Sequence, residues 1–243
     1  MERKFKFAIG EFYHVFNRGN DKRTIYLEYN DYIRFIALLY LCNSDKPVNI
    51  RDNFPKGLSF GRLKDFDEGN SIVAVGAYCL MPNHFHILIK EITENGITKF
   101  MNKLGTAYPM YFNRKYDRSG SLFESKFKAE HIDNNEYLRY MFAYIHLNPI
   151  KLIYPEWRAQ GISDFEKARD YLMSYQYSSY MDYINRDRLE KAILNKSAFP
   201  EYFDNFKDFE DFIKEWLNFK NLELANRRQS PKGKPFGNLD FYF

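Results

Sequence analysis

His84 and His86 stand two apart in the β-prone run HFHILIK. Residues i and i+2 of a strand leave the same face with Cα atoms ~7 Å apart, so the two imidazoles can serve one divalent metal. Neutral imidazoles ligate such metals, and the lack of a third protein ligand leaves positions for water or a phosphate oxygen. The same spacing also suits a hydrogen-bonded surface pair. Three other His-rich chemistries are excluded by residues the chain lacks. A histidine-triad hydrolase needs a third alternating His where Leu88 stands, an H-x-T phosphoesterase needs a hydroxyl at His86, and no H-E-x-x-H helix occurs.

Tyr144 and Asn148 form the second constellation, four apart in AYIHLNP and therefore on one face of a helix. A phenol with pKa near ~10 is a poor nucleophile at neutral pH unless a metal or base favours its oxyanion, and an amide carbonyl is a hard ligand for Mg or Mn. Read alone, Tyr144 also suits a core position and Asn148 a helix end before Pro149. His146, two positions from Tyr144, faces away and reads as structural. His14 reaches the site only if its strand lies beside the histidine strand. His131 could touch a phosphate, with nothing further to support it.

These residues must be positioned by recognisable elements. GEFYHVFN (10–17) reads as a strand that runs into the turn-prone RGNDKR. Asn30 or Asp31 can cap the helical run DYIRFIALLYLCNS. Residues 44–70, with two Pro and three Gly and no steady periodicity, read as an inserted loop. SIVAVGAYCL and HFHILIK, separated by MPN, read as a hairpin in the middle of a sheet. Helical patterns follow over 96–116 and 134–148, the second stopped by Pro149. Beyond Tyr154 the chain is polar and helical with a YQYSSYMDY loop, and from Asn226 it becomes basic and reads as extended.

The formal net charge of +4 is too small to name a partner, but its distribution is informative. Between 99 and 128, Lys99, Lys103, Arg114, Lys115, Arg118, Lys126 and Lys128 face only Asp117 and Glu124, and aromatic residues interleave with them. That mixture suits a surface that tracks phosphates and stacks bases, or a solvated charged face. Residues 199–215 are acidic instead. Aromatic residues make up 19% of the 243, enough to fill a core and leave some for stacking. With only Cys42 and Cys79, a disulfide scaffold and a cysteine zinc cluster are excluded, which fits a reducing compartment. MERKFKFAIGEFYHVF contains no apolar run of signal-peptide or membrane length, so a cytoplasmic protein with no membrane partner is expected. No GxxxxGK[ST] loop is present, so phosphoryl chemistry here would not draw on ATP by that route.

Taken in order, YHVFNRGNDKR, AYCLMPNHFHILI, YPMYFNRKYDRSGSLFESKFKAEHI and YLRYMFAYIHLNPIK resemble the single-tyrosine HUH (IS200-like) transposases, in particular their REP-associated tyrosine branch. The likeness spans about residues 8–180. It implies an α+β, ferredoxin-like (RRM-like) domain over 1–180 with a central antiparallel sheet flanked by helices. A helical C-terminal extension over 181–225 and a basic extended tail over 226–243 would follow. It also implies His84, His86 and Asn148 as ligands of Mg or Mn, and Tyr144 as the nucleophile that becomes joined to a 5′ phosphate. In the wider family the position of Asn148 is commonly Gln, and the shorter Asn leaves room for an intervening water. The implied substrate is single-stranded DNA near a REP-like hairpin, with the seven basic residues named above along its backbone. Relatives include monomers and dimers, so a homodimer is compatible with the resemblance. A hairpin-binding regulator that keeps the fold without turnover is the alternative.

Overall fold

The computed structural model describes residues 6–47, 49–50, 54, 58, 60–63 and 69–217. Much of the 44–70 insertion, and all of the 226–243 tail, lie outside the described residues.

Strand β1 (Phe12–Arg18) leads into helix α1 (Tyr29–Leu41) and, after the short helix α2 (Phe60–Leu63), into β2 (Val73–Met81) and β3 (His84–Glu91). Helix α3 (Gly96–Lys115) and strand β4 (Lys128–Ile132) complete a four-stranded sheet of order β2-β3-β1-β4, antiparallel throughout. This βαββαβ order is the ferredoxin-like arrangement expected, with the histidine strand β3 inside the sheet. β2 is apolar throughout and β3 is buried along nearly its whole length despite its two histidines, as strands covered on both faces are. β4 had no counterpart among the expected elements. Its sequence KAEHI is polar because this edge strand is only half-buried, whereas the other edge strand, β2, is covered by the YQYSSY segment.

Alternation divides the strands between two cores. Tyr13, Val15, Phe85, Ile87 and Ile89 pack with Phe35 and Leu39 of α1 and with Phe100, Leu104 and Tyr108 of α3. On the other face, Cys79, Met81 and Leu88 meet α4 (Asn135–Leu147). The N-cap of α1 is Glu28, not Asn30 or Asp31. Asp31 occupies the third helical position and accepts the Glu28 N–H, closing a capping box. Asn134 caps α4 by accepting the Tyr137 N–H at 2.7 Å.

Helix α4 is buried without interruption from Tyr140 to Leu147, because further helices cover the side turned away from the sheet. The short helix α5 (Trp157–Gln160) precedes α6 (Phe165–Ser174), which packs on the 3-10 turn Asn148–Leu152. The YQYSSY segment runs beside β2, where Leu80 N–H donates to Tyr177 O and Ser179 N–H to Tyr78 O, before α7 (Tyr180–Tyr183). The last described helix, α8 (Phe206–Leu217), sets Phe209 against His146 and Trp216 against Tyr140. Among the described residues no helix is long and apolar enough to cross a membrane.

Candidate active site

The register of the sheet decides which side chains meet. His84, His86 and Leu88 leave the face of β3 that carries α4, and β1 lies alongside with Phe16 opposite His86 and His14 opposite Leu88. The His84 and His86 rings lie 5.0 Å apart and nearly perpendicular. Tyr144 of α4 sets its ring edge-on to both His86, at 5.4 Å, and His14, at 5.6 Å. Two imidazoles from the sheet, a third from the neighbouring strand and the phenol thus share one locus, and Tyr144 is only 2% exposed there. His14 belongs to it because β1 is inserted between β3 and β4, the condition on which its approach depended.

His84 contacts Asn83 Oδ1 through Nδ1 at 2.6 Å. A carbonyl oxygen can only accept, so Nδ1–H donates and the lone pair of the neutral ring sits on Nε2. Burial, followed by the positive charges of Lys151 and Arg18, pushes His84 down to about 3, so the ring is neutral at any ordinary pH. His86 Nδ1 meets His14 Nε2 at 2.8 Å. Burial likewise lowers the pKa of His14, against an opposing pull from Glu130. Asn148 donates from Nδ2 to Tyr144 O at 2.8 Å, while its Oδ1 is buried with no hydrogen-bond partner.

This donor set fits a small hard cation: two imidazoles, one with its Nε2 lone pair fixed, and a desolvated amide oxygen left without a donor. Among the described residues no cluster of three or more His, Cys, Asp or Glu is arranged as a metal site. Any cation held here would therefore rely on the amide oxygen, water or substrate beyond the imidazoles.

The seven basic residues are not brought together. Lys99, Lys103, Arg114 and Lys115 all lie on α3, across the sheet from the histidines. Lys103 donates to the carbonyls of Ser44 and Lys46, and Lys115 binds Glu28 and buried Asp31, each at 2.6 Å. A cavity of about 1210 Å³ opens on that same far side, between α1 and α3, and is not part of the histidine site. Arg118 donates to Asn113 Oδ1, and Lys126 lies in the segment before β4. Lys128 stands opposite Phe16 and hence on the histidine face.

Two further cations near the site escaped sequence reasoning. Arg18 stands opposite His84 in the β1–β3 register and is tied to Glu124 at 2.5 Å, and Lys151 follows in the turn after Asn148. Their signal was position beside the motifs, since neither falls in the basic window. His131 lies on the edge strand and bonds Glu11 at 2.8 Å. His146, expected to be structural, donates from Nδ1 to Phe142 O and contacts Ser179 Oγ at 2.7 Å through Nε2, with burial lowering its pKa to about 3.

Residues 67–148, about a third of the chain, match the family described as "Transposase IS200 like". Over this region the chain is similar to the IS200-like transposases. The matched stretch contains the hairpin with His84 and His86 and ends on Asn148, so it includes Tyr144. No curated protein matches the chain. Among solved structures, four chains match. One of them is a REP-associated tyrosine transposase bound to a REP hairpin, at 12% identity and a TM-score of 0.47, covering 78% of this chain and 90% of that one.

Proposed function

We propose that this transposase-type protein is a metal-dependent strand transferase that cleaves and rejoins single-stranded DNA near a REP-like hairpin, with Tyr144 as nucleophile. The observation that carries the reading is the Tyr144 ring held edge-on to His86, on the strand that also presents His84. In this scheme the phenolic oxygen attacks the scissile phosphorus, the P–O bond to the 3′ oxygen breaks, and that oxygen leaves as a 3′ hydroxyl. The resulting 5′-phosphotyrosine keeps the phosphodiester's energy, so attack by a second 3′ hydroxyl rejoins strands without ATP. Phosphoryl transfer depends on in-line placement and charge stabilisation more than on strong acid–base catalysis.

His84, His86 and Asn148 would hold Mg²⁺ or Mn²⁺, which supplies Lewis-acid polarisation of the scissile phosphate. Arg18, Lys151 and Lys128 add positive charge on the same side, where DNA phosphates would approach. Residues 1–180 would form the transferase unit, with helix α8 of the 181–225 extension backing the tyrosine helix. The test is a labelled single-stranded hairpin incubated with the protein and Mn²⁺. A denaturation-resistant adduct is expected, absent in Tyr144→Phe; an adduct that persists in that variant removes Tyr144 from its role.

One observation favours a second reading, a hairpin-DNA-binding regulator without turnover. Tyr144 and His86 are almost wholly buried, so DNA reaches them only if the site opens. That reading predicts salt-sensitive binding without nicking, unaffected by the double change His84→Ala with His86→Ala.

A further inference from the structure

His14 has no task in the chemistry just described, yet it sits 1% exposed on an inner strand, in hydrogen-bond contact with a proposed ligand. Packing alone does not call for an imidazole there. Its ring contacts, Phe16 at 4.8 Å, His86 at 5.0 Å and Tyr144 at 5.6 Å, would be met by a phenyl ring of similar size. What a phenyl lacks is the pair of ring nitrogens, and both face polar groups. Nε2 meets His86 Nδ1 at 2.8 Å, and Nδ1 faces Glu130 Oε2 at 4.0 Å, Glu130 being the residue directly opposite on β4. The Tyr137 hydroxyl donates to the same carboxylate oxygen at 3.4 Å.

We propose that His14 is a positioning residue that, with Glu130, fixes His86 in the tautomer whose Nε2 carries the lone pair. The proposal rests on the reading of His86 as a cation ligand. Matching donors to acceptors decides the tautomer. A carboxylate only accepts, so a neutral His14 places its proton on Nδ1, toward Glu130. Its Nε2 is then an acceptor, and the 2.8 Å contact requires His86 to donate from Nδ1. The opposite arrangement would turn the buried His14 Nδ1 lone pair toward the half-buried Glu130 carboxylate across 4.0 Å, like partial charges that repel. His84 reaches the same state by a different route, donating from Nδ1 to Asn83 Oδ1. Both imidazoles of the pair therefore present Nε2. Outer partners of this kind set ring orientation and ligand basicity, and losing one typically costs 10–100-fold in metal affinity.

The experiment uses the full chain with ¹⁵N-labelled histidine. Long-range proton–nitrogen correlation in the absence of metal should show His86 with its proton on Nδ1, and His14→Phe should show a mixture of tautomers. Titration with Mn²⁺, followed by electron paramagnetic resonance, should show about 10–100-fold weaker binding in His14→Phe. Recovery is expected in His14→Gln, whose amide oxygen can accept from His86. Glu130→Gln, remote from the cation, should also loosen the tautomer, and it serves if His14→Phe fails to fold. A wild-type His86 protonated on Nε2, or a His14→Phe protein with unchanged tautomer and Mn²⁺ affinity, overturns the proposal. If wild-type protein binds no Mn²⁺, the cation reading fails, and the imidazole spectra still decide the role of His14.

Discussion

The two faces of the sheet are built from the same strands and to different ends. On the α1–α3 face, Tyr13, Val15, Phe85, Ile87 and Ile89 close on Phe35, Leu104 and Tyr108, and buried Asp31 has both carboxylate oxygens engaged. Asp31 there accepts from the Leu27 and Glu28 N–H groups, from Lys115 and from the hydroxyls of Tyr111 and Tyr116. On the α4 face, one residue along each strand, stand His14, His84 and His86. There His14 Nδ1 and Asn148 Oδ1 are buried without a hydrogen bond. An unsatisfied buried polar atom costs about 1–3 kcal/mol, a penalty the α4 face takes at its candidate reactive groups, whereas the opposite face takes it at Tyr26 Oη and Glu91 Oε1, away from the Asp31 network. The period of two in a strand lets one face supply stability while the other holds reactive groups in fixed geometry.

The sharpest way to break this division is to show that the faces do not separate activity from stability. Tyr144→Phe should reduce covalent adduct by on the order of 10³-fold or more, the scale seen when a nucleophile is removed. It keeps the ring in place, so unfolding in urea should shift by less than about 1 kcal/mol. Phe35→Ala on the opposite face should do the reverse. Loss of a fully buried ring costs about 3–5 kcal/mol, while adduct per folded molecule should stay near wild type. Similar stability losses from both substitutions would contradict the division.

The contrast also explains what could be read from the chain. The β2–β3 hairpin, both long helices and the shared side of His84 and His86 were legible because each depends on local periodicity. β4 was not, since an edge strand with the sequence KAEHI carries no apolar signal. Nor was the burial of Asp31, which follows from α3 crossing α1 and bringing Lys115, Tyr111 and Tyr116 to a helix start distant in sequence. Lys115 looked available to phosphate for the same reason. The meeting of His14 with His86 required knowing that β1 inserts between β3 and β4, a long-range pairing that no short window encodes.

Asp31→Ala sharpens the comparison from the stable side. It strands Lys115 and two tyrosine hydroxyls, and a loss on the order of 3 kcal/mol is expected, at the lower end for a broken buried pair because Lys115 keeps 26% of its surface exposed. Burial by itself would raise the carboxyl's pKa, but Lys115, Tyr116, the Leu27 N–H and Tyr111 together hold it below its ordinary 3.8. A depressed carboxylate stabilises the fold above its unfolded pKa, and that contribution is lost as pH falls from about 3.8 through the lower folded value. Urea midpoints measured between pH 6 and pH 3 should therefore converge for wild type and Asp31→Asn only at the acid end.

The smallest effect bears on which face meets DNA. Lys128 stands on the histidine face, 4.0 Å from Glu124, whereas Lys99 lies at the start of α3 across the sheet and donates to Glu94 O. Removing one phosphate-binding cation from the substrate side lowers the slope of log affinity against log salt by about 1 and weakens binding of every sequence alike. Lys128→Ala should show that change with a single-stranded hairpin, and Lys99→Ala should leave slope and affinity unaltered. An equal response from both would mean that the nucleic acid wraps around the sheet to reach α3. The apolar face would then bind substrate as well as stabilise the fold, and the division between the two faces would hold for the strands but not for the helices that cover them.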